Sequence, residues 1–203
     1  MKNKKGSLFI NTGLLLIICA IALTGYNIYS SDKAAENSSA ALSQLNRILP
    51  DDTKDILKTP DYILNPDMKM PVKTVDGWDY IGVVDIPALG LNLPVIDSYS
   101  RQAIKVAPAC YGGTAYKDDF IICAHNYKVH FGKISSLKPG DAIAFVDTDG
   151  NVFNYEVTEK ETLAPSEVDR LNDGDWDLTL ISCTVSGQAR MTVRCKKLKL
   201  IND

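Results

Sequence analysis

The apolar residues of this chain follow one pattern near the N-terminus and another from residue 76 onward. The first is an uncharged, mostly apolar stretch from Gly6 to Ser31, with a continuous apolar core over residues 14–23. In a helix that rises 1.5 Å per residue, about 20 such residues cross the ~30 Å hydrocarbon layer of a bilayer. We therefore predict a transmembrane anchor at residues 8–29.

Three lysines precede the apolar stretch, at Lys2, Lys4 and Lys5. Positive charge on a short flanking segment keeps that side in the cytoplasm. Residues 1–7 are thus predicted as a cytoplasmic tail, and everything after residue 29 as extracellular. A cleaved signal peptide is the alternative, but residues 24–29 carry two tyrosines and no Ala-x-Ala exit, which favours an uncleaved anchor.

The segment from residue 30 to 75 is predicted to link the anchor to a folded domain. Leu42, Leu45 and Leu49 are three and four residues apart, which places them on one face of a helix over 34–49 that Pro50 ends. Residues 59–71 contain three prolines and are predicted to be an extended strap. The strap is interpreted as a spacer, with a lid over an active site as the alternative, in which its apolar residues Tyr62, Met68 and Met70 would fill a groove.

From Asp76 to Asp203 the pattern becomes short β-rich runs separated by turns. Asp149-Gly150 marks a hairpin, since glycine accepts the positive φ that such a turn requires. Seven or eight strands with few helices indicate an all-β barrel or sandwich, and periodicity alone does not choose between them. The predicted strands cover 80–86, 91–96, 120–124, 142–147, 152–157, 178–183 and 191–200.

Composition narrows the function classes. The 203 residues are 45% hydrophobic and 23% charged, which suits one domain of roughly 130 residues plus an extension. The net charge is −3, and lysine and arginine form no stripe with interleaved aromatics. We therefore predict no nucleic-acid partner.

Five cysteines are present, and Cys183 is the candidate nucleophile among them. Cys19 lies in the anchor, while Cys123 and Cys195 lie in strand-like runs where a thiol acts as a small buried hydrophobe. A bridge between Cys110 and Cys123 is geometrically allowed but has no support. Cys183 instead ends a strand and precedes a polar turn.

Two further residues complete a candidate site. Arg190 follows Cys183 by seven residues, at the head of the last predicted strand, and would place a permanent positive charge beside the thiol. His125 follows an apolar strand upstream and is a plausible proton shuttle.

The order His125, then Cys183 after Thr179-Leu180-Ile181-Ser182, then Arg190 resembles that of the sortases, the cysteine transpeptidases of Gram-positive cell walls. The resemblance extends over residues 77–200 and includes the opening run 80–95 and the turn Lys138-Pro139-Gly140-Asp141. It implies an eight-stranded barrel as the catalytic domain at 76–203. Ser182 stands where the family usually has threonine, and the lid-bearing pilin sortases have an Asp-Pro-aromatic anchor where this strap has Asn65-Pro66-Asp67.

The resemblance also implies the chemistry and the partners. Cys183 would attack the Thr-Gly carbonyl of a Leu-Pro-x-Thr-Gly-like sorting signal at the C-terminus of a surface protein, and form a thioester. His125 would protonate the leaving amine and deprotonate the incoming one, and Arg190 would stabilise the oxyanion or orient the substrate backbone. The acceptor amine would come from a cell-wall precursor or from a pilin lysine. No cofactor is implied.

Other interpretations are weaker. His130 would give a His-x4-His pair with His125, but two histidines without a third clustered ligand make a poor zinc site, so His130 is interpreted as a loop residue. Arg194 lies on the same strand face as Arg190, and periodicity does not exclude it as the functional arginine. A calcium site is not predicted from the scattered acids Asp118, Asp119, Asp147 and Asp149.

Two other function classes remain as alternatives. Papain-like peptidases place cysteine upstream of histidine, whereas here His125 comes first. A non-catalytic, membrane-tethered β-domain for adhesion or scaffolding would leave the Cys183 thiol unreactive, which the sequence does not test.

Overall fold

The computed structural model describes residues 4–48, 59–183 and 188–198. Three α-helices lie in this part of the chain, α1 at Lys4–Ile48, α2 at Asp61–Leu64 and α3 at Ala103–Val106. Three short 3-10 helices lie at Pro87–Leu89, Phe131–Ser136 and Val168–Asn172. The strands are β1 Lys73–Val75, β2 Trp78–Ile86, β3 Leu91–Ile96, β4 Ala109–Gly112, β5 Phe120–Ala124, β6 Ala142–Asp147, β7 Val152–Leu163, β8 Leu178–Cys183 and β9 Arg190–Lys197.

Eight of these strands form a closed barrel. Their order is β2-β3-β4-β5-β8-β9-β7-β6, and β6 pairs back with β2. The short strand β1 lies outside this ring and pairs with β2. The predicted eight-stranded barrel, preceded by a long apolar helix, is therefore confirmed.

The strands that the β-rich runs predict are present as β2, β3 and β5 to β9. The Asp149-Gly150 turn joins β6 to β7, and Gly150 has the positive φ of 87° that favours glycine. Strands β1 and β4 were not predicted, because three and four residues are too few to show a period of two.

Two apolar clusters fill the structure, one inside the barrel and one outside it. Alternate residues of the strands point inward, so that Ile122, Leu180 and Val193 pack with the aromatic residues of β6 and β7. Their neighbours on the opposite face, Ile121 and Ile181, belong to the second cluster, which lies beneath α1 and α3.

Helix α1 runs from the predicted anchor onto the barrel without a break. It joins the predicted transmembrane segment and the predicted helix over 34–49 into one element, and Leu49 and Pro50 lie outside the described residues. Leu45 is fully buried in the outer cluster, and Leu42 packs at its edge. Among the described helices, α1 is the one that is long and apolar enough to cross a membrane.

A buried histidine fixes α1 to the barrel. The Ser38 hydroxyl donates to the carbonyl oxygen of Val106 at 2.8 Å, and its Oγ lies 3.0 Å from His130 Nε2. Because the single hydroxyl proton goes to Val106, Oγ accepts from His130, which places the imidazole proton on Nε2. His130 Nδ1 is buried and has no hydrogen-bond partner among the described residues. His130, interpreted as a loop residue, thus also serves as a docking contact.

The strap packs against the barrel end at which β5 and β8 begin. The Tyr62 ring stacks on Tyr116 with 4.6 Å between centroids and also contacts Phe153 at the start of β7. Met68 packs against the inner cluster, and Met70 is buried in it. The groove that these side chains fill is therefore at the opposite end of the barrel from His125, which follows the last residue of β5.

Three of the four acids considered as a calcium site hold other contacts in the fold. Asp147 is fully buried and accepts hydrogen bonds from the Tyr116 hydroxyl and from the Asn151 amide. Asp118 pairs with Lys197, and Asp119 accepts from the backbone N–H of Thr114. No group of three metal-binding side chains occurs within the described ranges.

Arg194 is a structural residue. Its guanidinium is almost completely buried and binds the Glu161 carboxylate at 2.8 and 3.0 Å. The same group donates to the carbonyl oxygens of Arg170 and Leu171 and to the Thr179 hydroxyl. These bonds hold the 3-10 helix at Val168–Asn172 against the outer face of β8 and β9.

The first prediction concerns acidification. Burial lowers the pKa of His130 to about 4, whereas the unfolded histidine titrates near 6.5. Between those values the unfolded chain binds the extra proton, so stability falls as the pH is lowered. From pH 7.5 to 5.5 we expect His130 to remove about 1.4 kcal/mol from the free energy of unfolding. Urea unfolding across this range should show a flatter dependence for His130→Gln, which keeps a donor for Ser38, and an unchanged slope would contradict the assignment.

The second prediction concerns the two arginines of β9. Arg194→Lys keeps the charge but replaces the five donors of the planar guanidinium with the three of an ammonium group, and we expect it to lower the free energy of unfolding by about 3 kcal/mol. Arg190→Lys, at a half-exposed position, should change it by less than about 0.5 kcal/mol. Chemical denaturation of both variants makes the comparison, and equal losses would show that Arg194 has no special structural role.

Candidate active site

Strand pairing brings together the three residues that the sequence singles out. Strands β5 and β8 are parallel neighbours, and their last pair is Ala124 with Ser182. His125 and Cys183 are the next residues on these two strands, and adjacent strands lie about 4.8 Å apart. Across the antiparallel pair β8–β9, Cys183 lies opposite Arg190. The three candidates therefore occupy neighbouring strands at one end of the barrel.

The backbone around His125 is held by a compact turn. The Phe131 N–H donates to the His125 carbonyl oxygen at 3.3 Å. The N–H groups of His130 and Gly132 both donate to the backbone carbonyl oxygen of Tyr127 at 2.9 Å. A Cβ atom at position 132 would lie 2.6 Å from the Asn126 carbonyl oxygen, so this approach requires glycine. The loop after β5 therefore presents His125 from a fixed backbone.

The His125 imidazole is half-buried and stacks on the Tyr127 ring, with 3.9 Å between centroids and 16° between planes. Burial lowers the pKa of His125, and the positive charge of Lys105 lowers it further, while a hydrogen bond that the imidazole donates to Asn126 opposes both effects. The neutral imidazole is therefore the main form at pH 7. In this form it has a free lone pair and can accept a proton from a nearby thiol or amine.

Arg190 is placed differently from Arg194. Its side chain is half-exposed, and Nη1 lies 3.5 Å from the Ala189 carbonyl oxygen, at the long limit of a hydrogen bond. Across the described ranges its guanidinium forms no ion pair. Because Arg194 is fully occupied within the fold, Arg190 is the arginine of β9 that can bind a ligand.

The other thiols outside the anchor are poor nucleophiles. Burial is the main cause that raises the pKa of Cys110 to about 11 and that of Cys195 to about 12. Cys123 is buried beneath the outer cluster. No disulfide joins the cysteines whose side chains the structure describes. Cys183, the last residue of β8, is the remaining candidate.

Comparison with solved structures confirms the fold. The chain is similar to a sortase D5 transpeptidase of Clostridium perfringens, with 24% identity, a TM-score of 0.52, and coverage of 63% of this chain and 83% of that one. It is also similar to sortase A of Listeria monocytogenes, with 21% identity, a TM-score of 0.52, and coverage of 59% and 88%. Sortase C of C. perfringens, solved with a C-terminal cell-wall sorting motif, matches at 22% identity and a TM-score of 0.53, over 85% and 91%.

Sequence comparison identifies the family. No curated protein matches the chain. The family model for the sortase domain matches residues 84–198, which is more than half of the chain and includes seven complete strands of the barrel, the loop after β5 and the β8–β9 pair. This chain therefore belongs to the sortase family of cysteine transpeptidases.

Proposed function

We propose that this chain is a single-pass membrane sortase with its N-terminus in the cytoplasm and its barrel outside the cell. Residues 1–7 form the cytoplasmic tail, 8–29 the anchor and 76–203 the catalytic domain. Residues 30–75 connect them, and part of this segment docks on the barrel through α1 and β1. The orientation rests on the lysines that precede the apolar span.

The observation that carries the proposal is the meeting of His125, Cys183 and Arg190 on neighbouring strands. An acyl transfer needs a nucleophile, a proton shuttle and a donor for the oxyanion within reach of one carbonyl group. Parallel β5 and β8 provide the first two, and β9 provides the third. Cys183, His125 and Arg190 are therefore the proposed catalytic residues.

The first half of the reaction forms the thioester. His125 accepts the Cys183 thiol proton, and the sulfur attacks the Thr-Gly carbonyl carbon of a Leu-Pro-x-Thr-Gly-like signal on a surface protein. The electron pair of the carbonyl moves to oxygen, where the Arg190 guanidinium donates hydrogen bonds. The C–N bond then breaks, and His125 returns the proton to the departing glycine amine.

The second half transfers the acyl group. An amine from a cell-wall precursor or from a pilin lysine attacks the thioester carbon and loses a proton to His125. The C–S bond breaks, and the sulfur leaves as a thiolate that regains the proton. A thioester suits this exchange because thiolate is both a strong nucleophile and a good leaving group.

The test uses the full chain in detergent micelles or nanodiscs with a panel of Leu-Pro-x-Thr-Gly-type peptides and an amine acceptor. We expect cleavage between Thr and Gly and an acyl adduct on Cys183, measured by mass spectrometry. Cys183→Ala should abolish both. His125→Gln should lower kcat/KM by about 10³-fold, and Arg190→Lys by about 10²-fold.

Cys110→Ala is the matched control, because it removes a thiol whose pKa is raised by burial and which lies outside the proposed site. It should retain activity within about twofold. An adduct on Cys110, or full turnover by Cys183→Ala, would contradict the assignment. If Cys183 neither turns over peptide nor reacts with alkylating reagents, the non-catalytic scaffold interpretation would replace it.

A further inference from the structure

Helix α1 changes its environment at Ser30 without ending. Before Ser30 its described side chains face outward and are largely apolar, with Phe9 76% and Ile21 67% exposed. From Ser30 onward a stripe of residues spaced three and four apart turns against the barrel. The barrel thus begins to contact the helix where the predicted span ends. The partly or fully buried stripe consists of Ser30, Ser31, Ala34, Ala35, Asn37, Ser38, Ala41, Leu42 and Leu45.

Helix α1 contacts the barrel through polar side chains at three positions along its length. Ser30 lies beside the Tyr127 hydroxyl, Ser38 binds Val106 and His130, and Gln44 donates to Asp76 at 3.0 Å. At 1.5 Å per residue, Ser38 is about 12 Å and Gln44 about 21 Å beyond Ser30. Docking over this length fixes the tilt and rotation of the barrel relative to the span.

The contact nearest the predicted span, between Ser30 and Tyr127, involves the loop that carries His125. Tyr127 stacks on His125 and is also close to Ser30 and Tyr26 of α1. Tyr26 and Tyr29 close the apolar span, and tyrosines at such positions lie at the level of the lipid headgroups. Tyr127 therefore lies at the level of the headgroups, and the His125 ring stacks directly on it.

The surface around Tyr127 also suits a lipid surface electrostatically. Lys128 is exposed next to Tyr127, and Lys105 is exposed and close enough to act on His125. Lysines near a bilayer are attracted to anionic headgroups. An aromatic ring flanked by lysines at the exit of a transmembrane helix is an interfacial arrangement.

We propose that α1 is a rigid strut that holds the barrel with its His125 end against the bilayer, so that the surface of Tyr127, Lys128 and Lys105 contacts lipid headgroups. The candidate site then accepts peptides presented at the membrane surface in preference to peptides far from it. The substrate part of this inference rests on the proposed function, whereas the orientation does not.

The orientation is tested by depth-dependent quenching of a fluorophore. Lys128→Cys and Ser43→Cys, both at exposed positions, are made in the full chain with Cys19, Cys110 and Cys183 replaced, and each is labelled with bimane. The proteins are reconstituted in vesicles of phosphatidylethanolamine and phosphatidylglycerol that contain a lipid with a nitroxide on its headgroup. Ser43 is about 20 Å along the helix from Ser30. We expect strong quenching at Lys128 and little at Ser43; equal quenching, or stronger quenching at Ser43, would overturn the proposal.

A second variant separates the strut from the span. An eight-residue Gly-Ser insertion between Tyr29 and Ser30 leaves the docked half of α1 intact and removes its rigid link to the anchor. Quenching at Lys128 should fall towards the value at Ser43. Cleavage of a soluble sorting peptide should stay within about twofold, while cleavage of the same peptide fused closely to a transmembrane helix should fall about fivefold or more.

The two kinds of readout distinguish the possible failures. Absence of turnover with either peptide in the parental chain would contradict the proposed function, and the quenching would still test the orientation. Unchanged quenching at Lys128 after the insertion, or equal loss on both peptides, would contradict the role of α1 as a strut.

Discussion

The parallel pairing of β5 with β8 is the constraint on which the candidate site depends. Parallel neighbours end at the same edge of a sheet, so His125, which follows β5, and Cys183, the last residue of β8, lie on neighbouring strands despite their separation in sequence. The crossover between the two strands contains the β6–β7 hairpin, which forms part of the barrel wall. Because β9 runs antiparallel to β8, it must begin at the same edge, which brings Arg190 to the site.

The two arginines of β9 show how one strand face acquires two roles. Arg190 and Arg194 are four residues apart and share a face, so the strand itself does not distinguish them. The difference comes from the segment after β7, since its 3-10 helix covers Arg194 and supplies carbonyl acceptors, while Glu161 supplies the charge. A buried guanidinium requires such compensation. Arg190 has no such cover among the described residues, which is why it is the arginine proposed for catalysis.

The sequence predicts the barrel well and the docking of α1 poorly, for physical reasons. Strands of five or more residues form recognisable β-rich runs in the sequence, whereas β1 and β4 are too short to do so. The docking stripe of α1 consists largely of alanine and serine. These residues add little to the hydrophobic periodicity of the helix, so that only the leucines at its C-terminal end indicate a buried face. His130 stands in a polar loop, and nothing in the local sequence indicates that it is buried against Ser38. The grouping of His125, Cys183 and Arg190 could be anticipated from the family resemblance, whereas the parallel pairing of β5 with β8 that produces it is seen only in the fold.

The loop from His125 to His130 links the docking of α1 to the candidate site. One end carries the proposed proton shuttle, the other end holds Ser38, and Tyr127 between them faces the start of the docked helix. Backbone hydrogen bonds close this loop on itself, and the glycine at 132 allows the tight approach. These bonds tie the backbone of His130 to Tyr127 and the backbone of Phe131 to His125. The same short loop thus contributes both to the position of the His125 imidazole and to the docking of the barrel on α1.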